Sequence, residues 1–338
     1  MNPRGATVLL GAIITALLSL GIVNAPVPYV VLGPGPTVNT LGIENGKDVI
    51  EVDGASTSTS AGQLRLTTVG VLKKVYLVRA IRGWFDRDEA VVPRELYYPP
   101  GETDRQSEQR NQEEFQLSQT SAETAALREL GYPVQVVVTK VVPGGAAEGT
   151  LRAGDVLTTV NGQAVTSAQK LTNLIRAHPA GTALTIGYTR AGKPATATIT
   201  TAGDPPRIGV EIEQRQPHPF KIKIDLANIG GPSAGLMFTL GIVDKLRPED
   251  LTGGKVIAGT GTIDDEGIIG PIGGIPQKLV GAHEAGASVF LVPADNCAEA
   301  LKNAQPGLTM AKVSTLGQAL DALSAVRAGR APTPCTAE

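Results

Sequence analysis

A serine at a helix start and a lysine in apolar surroundings are the two residues of this sequence best suited to covalent chemistry. Ser233 stands in Gly230-Gly231-Pro232-Ser233-Ala234-Gly235. Proline favours the first turn of a helix, and glycines permit a sharp entry and the close approach of another backbone. Leu236, Met237, Leu240, Ile242, Val243 and Leu246 then supply a buried flank that stops before Pro248, so the pattern predicts a helix with Ser233 at its N-terminus. Unpaired amides and the positive end of the helix dipole favour negative charge there, as on a tetrahedral oxyanion, and Gly230, Gly231 and Ala234 are the candidate backbone donors. A serine hydroxyl needs a base. There are three histidines, His178, His218 and His283, and His283 keeps a serine–histidine reading open. Lys278 is the stronger candidate. Lysine accepts a proton only when neutral, and burial lowers its pKa from about 10.4 toward 7 to 8. The apolar run from Ile268 to Pro276, just upstream of Lys278, offers that burial.

The elements around these residues fall into several segments. From Ala6 to Val23 the sequence carries no charge, enough for a helix that just crosses a hydrocarbon core, with Arg4 before it and no Lys or Arg after it until Lys47. This predicts an anchor at 1–25 with everything beyond it outside the membrane. A cleaved signal is the alternative, although Pro26 is a poor start for the cleaved product. Tyr29 to Leu32 reads as a short strand, Asp48–Val52 and Gln63–Val69 as a hairpin, and Val71 to Phe85 as a helix ending near Gly83. The aromatic pair Trp84-Phe85 reads as core, with a membrane contact as the alternative. Residues 86–117, rich in Arg, Asp, Glu and Gln, read as a solvated connection. A helix follows from Ser118 to Leu130 with Ser121 as cap.

From Gly131 to Thr201 the pattern is compact and mostly β. Strands are predicted at Val134–Val142, Asp155–Val160, Ala183–Thr189 and Pro194–Thr200, with an Asn161-Gly162 turn and one helix near Ser167–Ala177. With Gly144-Gly145-Ala146-Ala147, Leu151-Arg152-Ala153-Gly154-Asp155-Val156-Leu157 and Val160-Asn161-Gly162, this region resembles a PDZ domain. The resemblance implies that a peptide adds as a strand beside the strand that follows a carboxylate-binding loop. That loop would be Gly131-Tyr132-Pro133-Val134, where Pro133 removes one donor.

After Pro205-Pro206 the pattern turns to mixed α/β, with strands at Ile208–Ile212 and Lys221–Leu226. Three stretches then resemble the proteolytic domain of the Lon family of serine peptidases: Gly231-Pro232-Ser233-Ala234-Gly235, Gly259-Thr260-Gly261-Thr262-Ile263, and Pro271 to Leu279 with Ala282-His283 and Ala285-Gly286. The resemblance gives Ser233 the role of nucleophile, Lys278 that of base, and Thr260 that of a hydroxyl orienting the lysine. Gly230 departs from the aspartate usual before Gly-Pro-Ser, and Pro276 replaces a polar residue. The stretch 40–85 looks like the first part of the same domain.

The expected fold is therefore α+β: a Lon-type proteolytic domain with an inserted PDZ-like β-barrel domain, preceded by one transmembrane helix. The segments are 1–25 (anchor), 26–117 (first Lon-like part and connection), 118–203 (PDZ-like), 204–326 (catalytic part) and 327–338 (flexible tail). The implied activity is that of a membrane-anchored, ATP-independent serine endopeptidase acting on extracytoplasmic proteins, similar to the PDZ-containing Lon-like proteases of bacteria. No Gly-x-x-x-x-Gly-Lys-Ser/Thr stretch occurs in the sequence. The alternative is a PDZ-centred scaffold whose Lon-like domain is silent or cuts only itself. A trypsin-like reading fails for want of Gly-Asn-Ser-Gly-Gly.

Protein or peptide substrates and the membrane through residues 6–23 are the expected partners, and the Lon resemblance implies a homo-oligomer. A net charge of −2 without a long basic run argues against nucleic acid. Neither a metal nor another cofactor is expected, because no His-Glu-x-x-His or Cys-x-x-Cys occurs. Asp225, Asp244, Asp264 and Asp265 are read as turn or cap residues. Cys297 and Cys335 are not expected to pair, since Cys335 sits in the Pro/Thr tail.

Overall fold

The computed structural model describes residues 3–23, 25–227 and 229–336, leaving the side chains at 3–6, 8, 18–20, 22 and 23 outside the description. Helix α1 (Pro3–Val23) leads to strand β1 (Pro26–Val27) and to β2 (Tyr29–Asn39), opened by the buried Val30, Val31 and Leu32. Next come β3 (Ile50–Asp53) and β4 (Gln63–Leu72), which do not form the expected hairpin. Leu64 and Leu66 are fully buried, as suits a strand inside a covered sheet. Accordingly β4 runs antiparallel to β2 and parallel to Val256–Gly259, while β3 pairs with Lys221–Ile224.

Because Val71 and Leu72 extend β4, the expected helix starts later. A short β5 (Val75–Tyr76) pairs with β1 and precedes α2 (Leu77–Phe85). Strand β6 (Ala90–Pro93) then joins the free edge of β2. The segment expected to be a solvated connection instead contains most of α3 (Asp104–Glu129). A capping box starts it: the Thr103 hydroxyl oxygen accepts from the Gln106 N–H, and the Gln106 carboxamide oxygen accepts from the Thr103 N–H. The helix runs straight through the expected boundary at 117/118. Its Phe115, Ala122, Ala125 and Ala126 lie in the larger hydrophobic core, with the Phe115 ring edge-on to Phe238 at 5.7 Å.

The inserted unit has its own core, including Val136, Leu157, Leu171, Ile186 and Ile199. It comprises β7 (Gln135–Val141), β8 (Val156–Val160), α4 (Ala168–Arg176), β9 (Ala183–Arg190), β10 (Lys193–Thr200) and β11 (Val210–Arg215). Asn161 and Gly162 both have positive φ, as a two-residue hairpin turn requires. The sheet order is β10-β9-β8-β7-β11. Strand β11 belongs to this unit although it lies beyond Pro205-Pro206, because Val210 to Arg215 pair antiparallel with Val141 to Gln135.

The remaining elements are β12 (Lys221–Ile224), α5 (Gly235–Leu246), β13 (Val256–Gly259), β14 (Thr262–Ile263), β15 (Ile269–Gly270), α6 (Ile275–Glu284), β16 (Val289–Pro293), β17 (Thr309–Val313) and α7 (Leu316–Arg327). They complete a six-stranded sheet of order β17-β16-β13-β4-β2-β6. Strands before and after the insert thus share one sheet, and β3–β12 pairing closes the same unit from another side.

Two expectations about the ends need correction. Cys297 and Cys335 form a disulfide, and both are buried. The tail is not free over its described part: Lys312 donates its backbone N–H to Thr333 O, and Cys335 donates to Met310 O, laying residues 333–335 along β17. At the other end α1 exposes Leu9, Leu10, Ile13, Ile14 and Leu17. Over the described residues no helix is long and apolar enough to cross a membrane, and much of the expected span at 6–23 lies outside the described side chains. Trp84 and Phe85 are 55% and 86% exposed, so they are not core residues.

Candidate active site

Ser233 and Lys278 arrive from different layers. Ser233 sits in the turn before α5, whose residues from Gly235 to Asp244 are all buried. Its carbonyl accepts from Gly261 N and from the Thr260 hydroxyl at 3.1 Å, which ties the turn to the stretch after β13. Lys278 lies in the first turns of α6, capped by Gly274 in the left-handed region (φ 74°). A side chain at Gly274 would place its Cβ 2.5 Å from Val69 Cγ2, so glycine is needed both for the turn and for close packing on β4.

The lysine side chain is 3% exposed, and its Nζ lies 2.9 Å from Ser233 Oγ and 2.9 Å from Thr260 Oγ1. Among the described residues it makes no ion pair, and burial lowers its pKa from 10.5 to about 7. The neutral amine can therefore be present near neutrality. Thr260 spends its hydroxyl hydrogen on the Ser233 carbonyl and so offers a lone pair to a lysine N–H. That contact aims the amine lone pair at Ser233 Oγ, as general-base chemistry requires. Thr260→Val is expected to lower kcat by about tenfold, or 1.4 kcal/mol of barrier, with KM little changed. It also removes an acceptor that favours the charged amine, so the midpoint of the pH–rate profile should move to lower pH. An unchanged profile would leave Thr260 a packing role only.

These groups open into a cleft of about 730 Å³. One wall is β4 from Thr67 to Val71, beyond the Gln63–Leu66 stretch that pairs with β13, and so presents a strand edge to an extended peptide. Another wall comes from Tyr97, Tyr98, Ser107 and Asn111, which the sequence reading missed because it took residues 86–117 for a connection. The Thr103-x-x-Gln106 capping signal was the available clue. Of the expected oxyanion donors, Gly231 is withdrawn: its N–H donates to the α3 carbonyl of Asn111 at 2.9 Å. Gly230 and Ala234 line the cleft.

The other candidates lie elsewhere. His283 is exposed on α6 and, among the described residues, has no hydrogen bond to Ser233. Asp225 pairs with Lys47 and Lys223 on the surface, Asp244 accepts from Ser60 Oγ and Leu251 N, and Asp264 accepts from Glu266 N and Ile268 N in its own turn. Asp265 accepts from Gln214 Nε2 of β11.

The expected peptide-binding loop Gly131–Val134 needs correction. Both edges of β7, the strand after it, are occupied by β8 and β11, so no peptide can add there. Tyr132 instead packs edge-on to Phe220 at 5.5 Å and to His218 at 6.3 Å. The sheet ends on β10 and β11, and β11 is the edge strand that lines a groove with α4. This groove, of about 350 Å³, has a lining that includes Leu171, Ile175, Ile208, Gly209 and Val210. The strand beside the groove is the last of this unit, and the local pattern of strands does not reveal that placement.

Comparison with known protein families matches residues 108–201 to the PDZ domain and residues 226–325 to the Lon protease (S16) C-terminal proteolytic domain. Among curated proteins, Lon protease 1 of Sorangium cellulosum is 36% identical over 107 residues, 31% of this chain and 13% of that protein. Lon protease 2 of Bacillus subtilis is 35% identical over 95 residues, 28% of this chain and 16% of that protein. The chain thus spans a small fraction of the length of these relatives. Among solved structures, the PDZ domain of the SdrC-like protein of Listeria monocytogenes matches at 28% identity and a TM-score of 0.22, covering 23% of this chain and 85% of that domain. The corresponding domain from Listeria innocua matches at 30% identity and a TM-score of 0.22, covering 25% of this chain and 98% of that domain. The chain therefore carries a Lon-type proteolytic domain together with a PDZ domain.

Proposed function

We propose that this protein is a membrane-anchored, ATP-independent serine endopeptidase acting on extracytoplasmic proteins. The observation that carries the reading is the buried Lys278 amine 2.9 Å from Ser233 Oγ. Ser233 attacks the substrate carbonyl carbon while its proton passes to Lys278 Nζ, and the oxyanion is held by backbone amides near Ser233. Collapse of the tetrahedral species expels the amine, which takes the proton from Lys278. A water molecule deprotonated by Lys278 then hydrolyses the acyl-enzyme and releases Ser233.

The uncharged stretch from Ala6 to Val23, preceded by Arg4, supports α1 as the anchor with the catalytic part outside. The Cys297–Cys335 disulfide supports the same side, because disulfides persist in oxidising compartments. Substrate tails would add beside β11, in the groove against α4, and the contacts of Gln214 with Asp265 and of Thr166 with Glu266 connect that region to the β14–β15 turn of the proteolytic domain. The test is cleavage of an unstructured protein by the full chain without nucleotide. Fragments should accumulate at a rate that added ATP does not change. Cleavage that needs ATP, or none with any unfolded substrate, would contradict the reading.

A further inference from the structure

Helix α2 presents an apolar face that the described residues leave largely exposed. Val78, Ile81, Trp84 and Phe85 recur at i, i+3, i+6 and i+7, on one side of the helix, and are 52%, 42%, 55% and 86% exposed. The opposite side, Ala80 and Gly83, is buried, and a Cβ at Gly83 would lie 2.9 Å from Val91 Cγ2 of β6. The helix is thus fixed to the domain by one face while the other is bare. Leu72 and Tyr76, 43% and 50% exposed, add to the bare surface. Scattered exposed apolar residues are ordinary, whereas a continuous patch of this kind marks an interaction surface.

What covers the patch follows from where it sits. Leu77 N–H, at the start of α2, donates to Ala25 O just past the end of α1. Strands β1 and β5 pair in between, with Pro26 opposite Tyr76 and Val27 opposite Val75, and the Trp84 ring stands edge-on to Tyr29 at 5.7 Å. The bare face of α2 is therefore tied to the exit of a helix that itself exposes Leu9, Leu10, Ile13, Ile14 and Leu17. Trp and Tyr beside the end of an apolar helix suit the water–hydrocarbon boundary, where the rings bury and their polar atoms stay wet. Lys74 and Arg82 are exposed and, among the described residues, form no ion pair, so they are free to meet lipid phosphates, whereas Arg79 is held by Glu89.

We propose that α2 is an interfacial helix: its Val78–Ile81–Trp84–Phe85 face lies in the head-group boundary of the same bilayer that holds α1. This rests on the proposed anchoring by α1. It gives the proteolytic domain a second contact with the membrane, so that the domain is held at a set orientation rather than swinging from one helix.

Trp84 is the single tryptophan of the chain, so its fluorescence reports this face alone. The full chain is reconstituted into phosphatidylcholine–phosphatidylglycerol vesicles, recovered by flotation, and its emission compared in lipids with and without bromine near the acyl carbonyls. Flotation with blue-shifted emission that shallow bromine quenches is expected. The double variant Ile81→Ser, Phe85→Ser should still float but lose the blue shift and most of the quenching. Flotation with water-like, unquenched emission would overturn the proposal while leaving the α1 anchor standing. Flotation with blue-shifted but unquenched emission would also overturn it, since the face would then be covered by protein, as in a second copy of the chain. Failure to float would overturn both the anchor and the interfacial helix.

Discussion

Exchanging Ser233 for Ala lowers kcat/KM for peptide cleavage by on the order of 10⁴-fold or more, and the unfolding transition stays where it was. The substitution removes one oxygen. Lys278 keeps its contact with Thr260, and the Ser233 backbone carbonyl keeps its bonds from Gly261 N and Thr260 Oγ1, so the turn before α5 has no reason to move. What disappears is the atom that forms the acyl-enzyme in the proposed mechanism. A loss of that size is more than 5 kcal/mol of transition-state stabilisation at about 1.4 kcal/mol per decade, beyond what a bound substrate loses through one neutral hydrogen bond. Cleavage assays on purified Ser233→Ala and wild-type protein, with thermal unfolding as the control, measure it. Wild-type rates in the variant would remove Ser233 from the chemistry and favour a scaffold role.

Lys278→Met should lower cleavage steeply and make the protein harder to unfold at neutral pH. The catalytic loss follows from removing the base, worth about 10²- to 10⁴-fold. The gain in stability follows from the pKa. In the unfolded chain the lysine titrates at its ordinary 10.5, and in the fold burial lowers that to about 7. Between these two values the unfolded state binds more protons, so wild-type stability rises with pH across this window, and at pH 7 the depressed pKa amounts to about 4 kcal/mol against folding. Met has similar length and no charge to desolvate. It gives up the two hydrogen bonds to Ser233 and Thr260, roughly 1 kcal/mol each, which leaves a net gain of about 2 kcal/mol at pH 7 that fades toward pH 10. Denaturant melts of both proteins at neutral and alkaline pH test this. A variant less stable than wild type at pH 7 would mean that the lysine does not bear the cost of burial.

Why some of this was legible in the sequence and some was not has a physical basis. Ser233, Thr260 and Lys278 lie in short stretches where proline and glycine fix the backbone locally, and local signals survive in one dimension. The same holds for the strands of the inserted unit and its Asn161-Gly162 turn. Partner choice does not survive: β3 and β4 are adjacent strands with turn-like residues between them, yet each is satisfied by a partner from beyond the insert. The placement of β11 at a sheet edge was hidden for the same reason, as the order of strands around a sheet is set by tertiary packing. Helix α3 was obscured by its composition, because its first half is polar on most sides and its buried apolar residues are Phe115 and, further on, Ala122, Ala125, Ala126 and Leu127. Trp84 and Phe85 were misplaced because apolar character alone does not distinguish a core from another apolar surface.

The account stands most directly on one measurement: the pH dependence of Ser233 acylation by an activated ester that deacylates slowly, followed by intact mass and peptide mapping. It predicts a single adduct on Ser233, forming about tenfold faster per pH unit until the lysine is neutral near 7 and then levelling off, and absent in Lys278→Met. An adduct on another residue, a rate that keeps climbing to the ordinary lysine range near pH ~10, or labelling of Ser233 indifferent to Lys278→Met would contradict it.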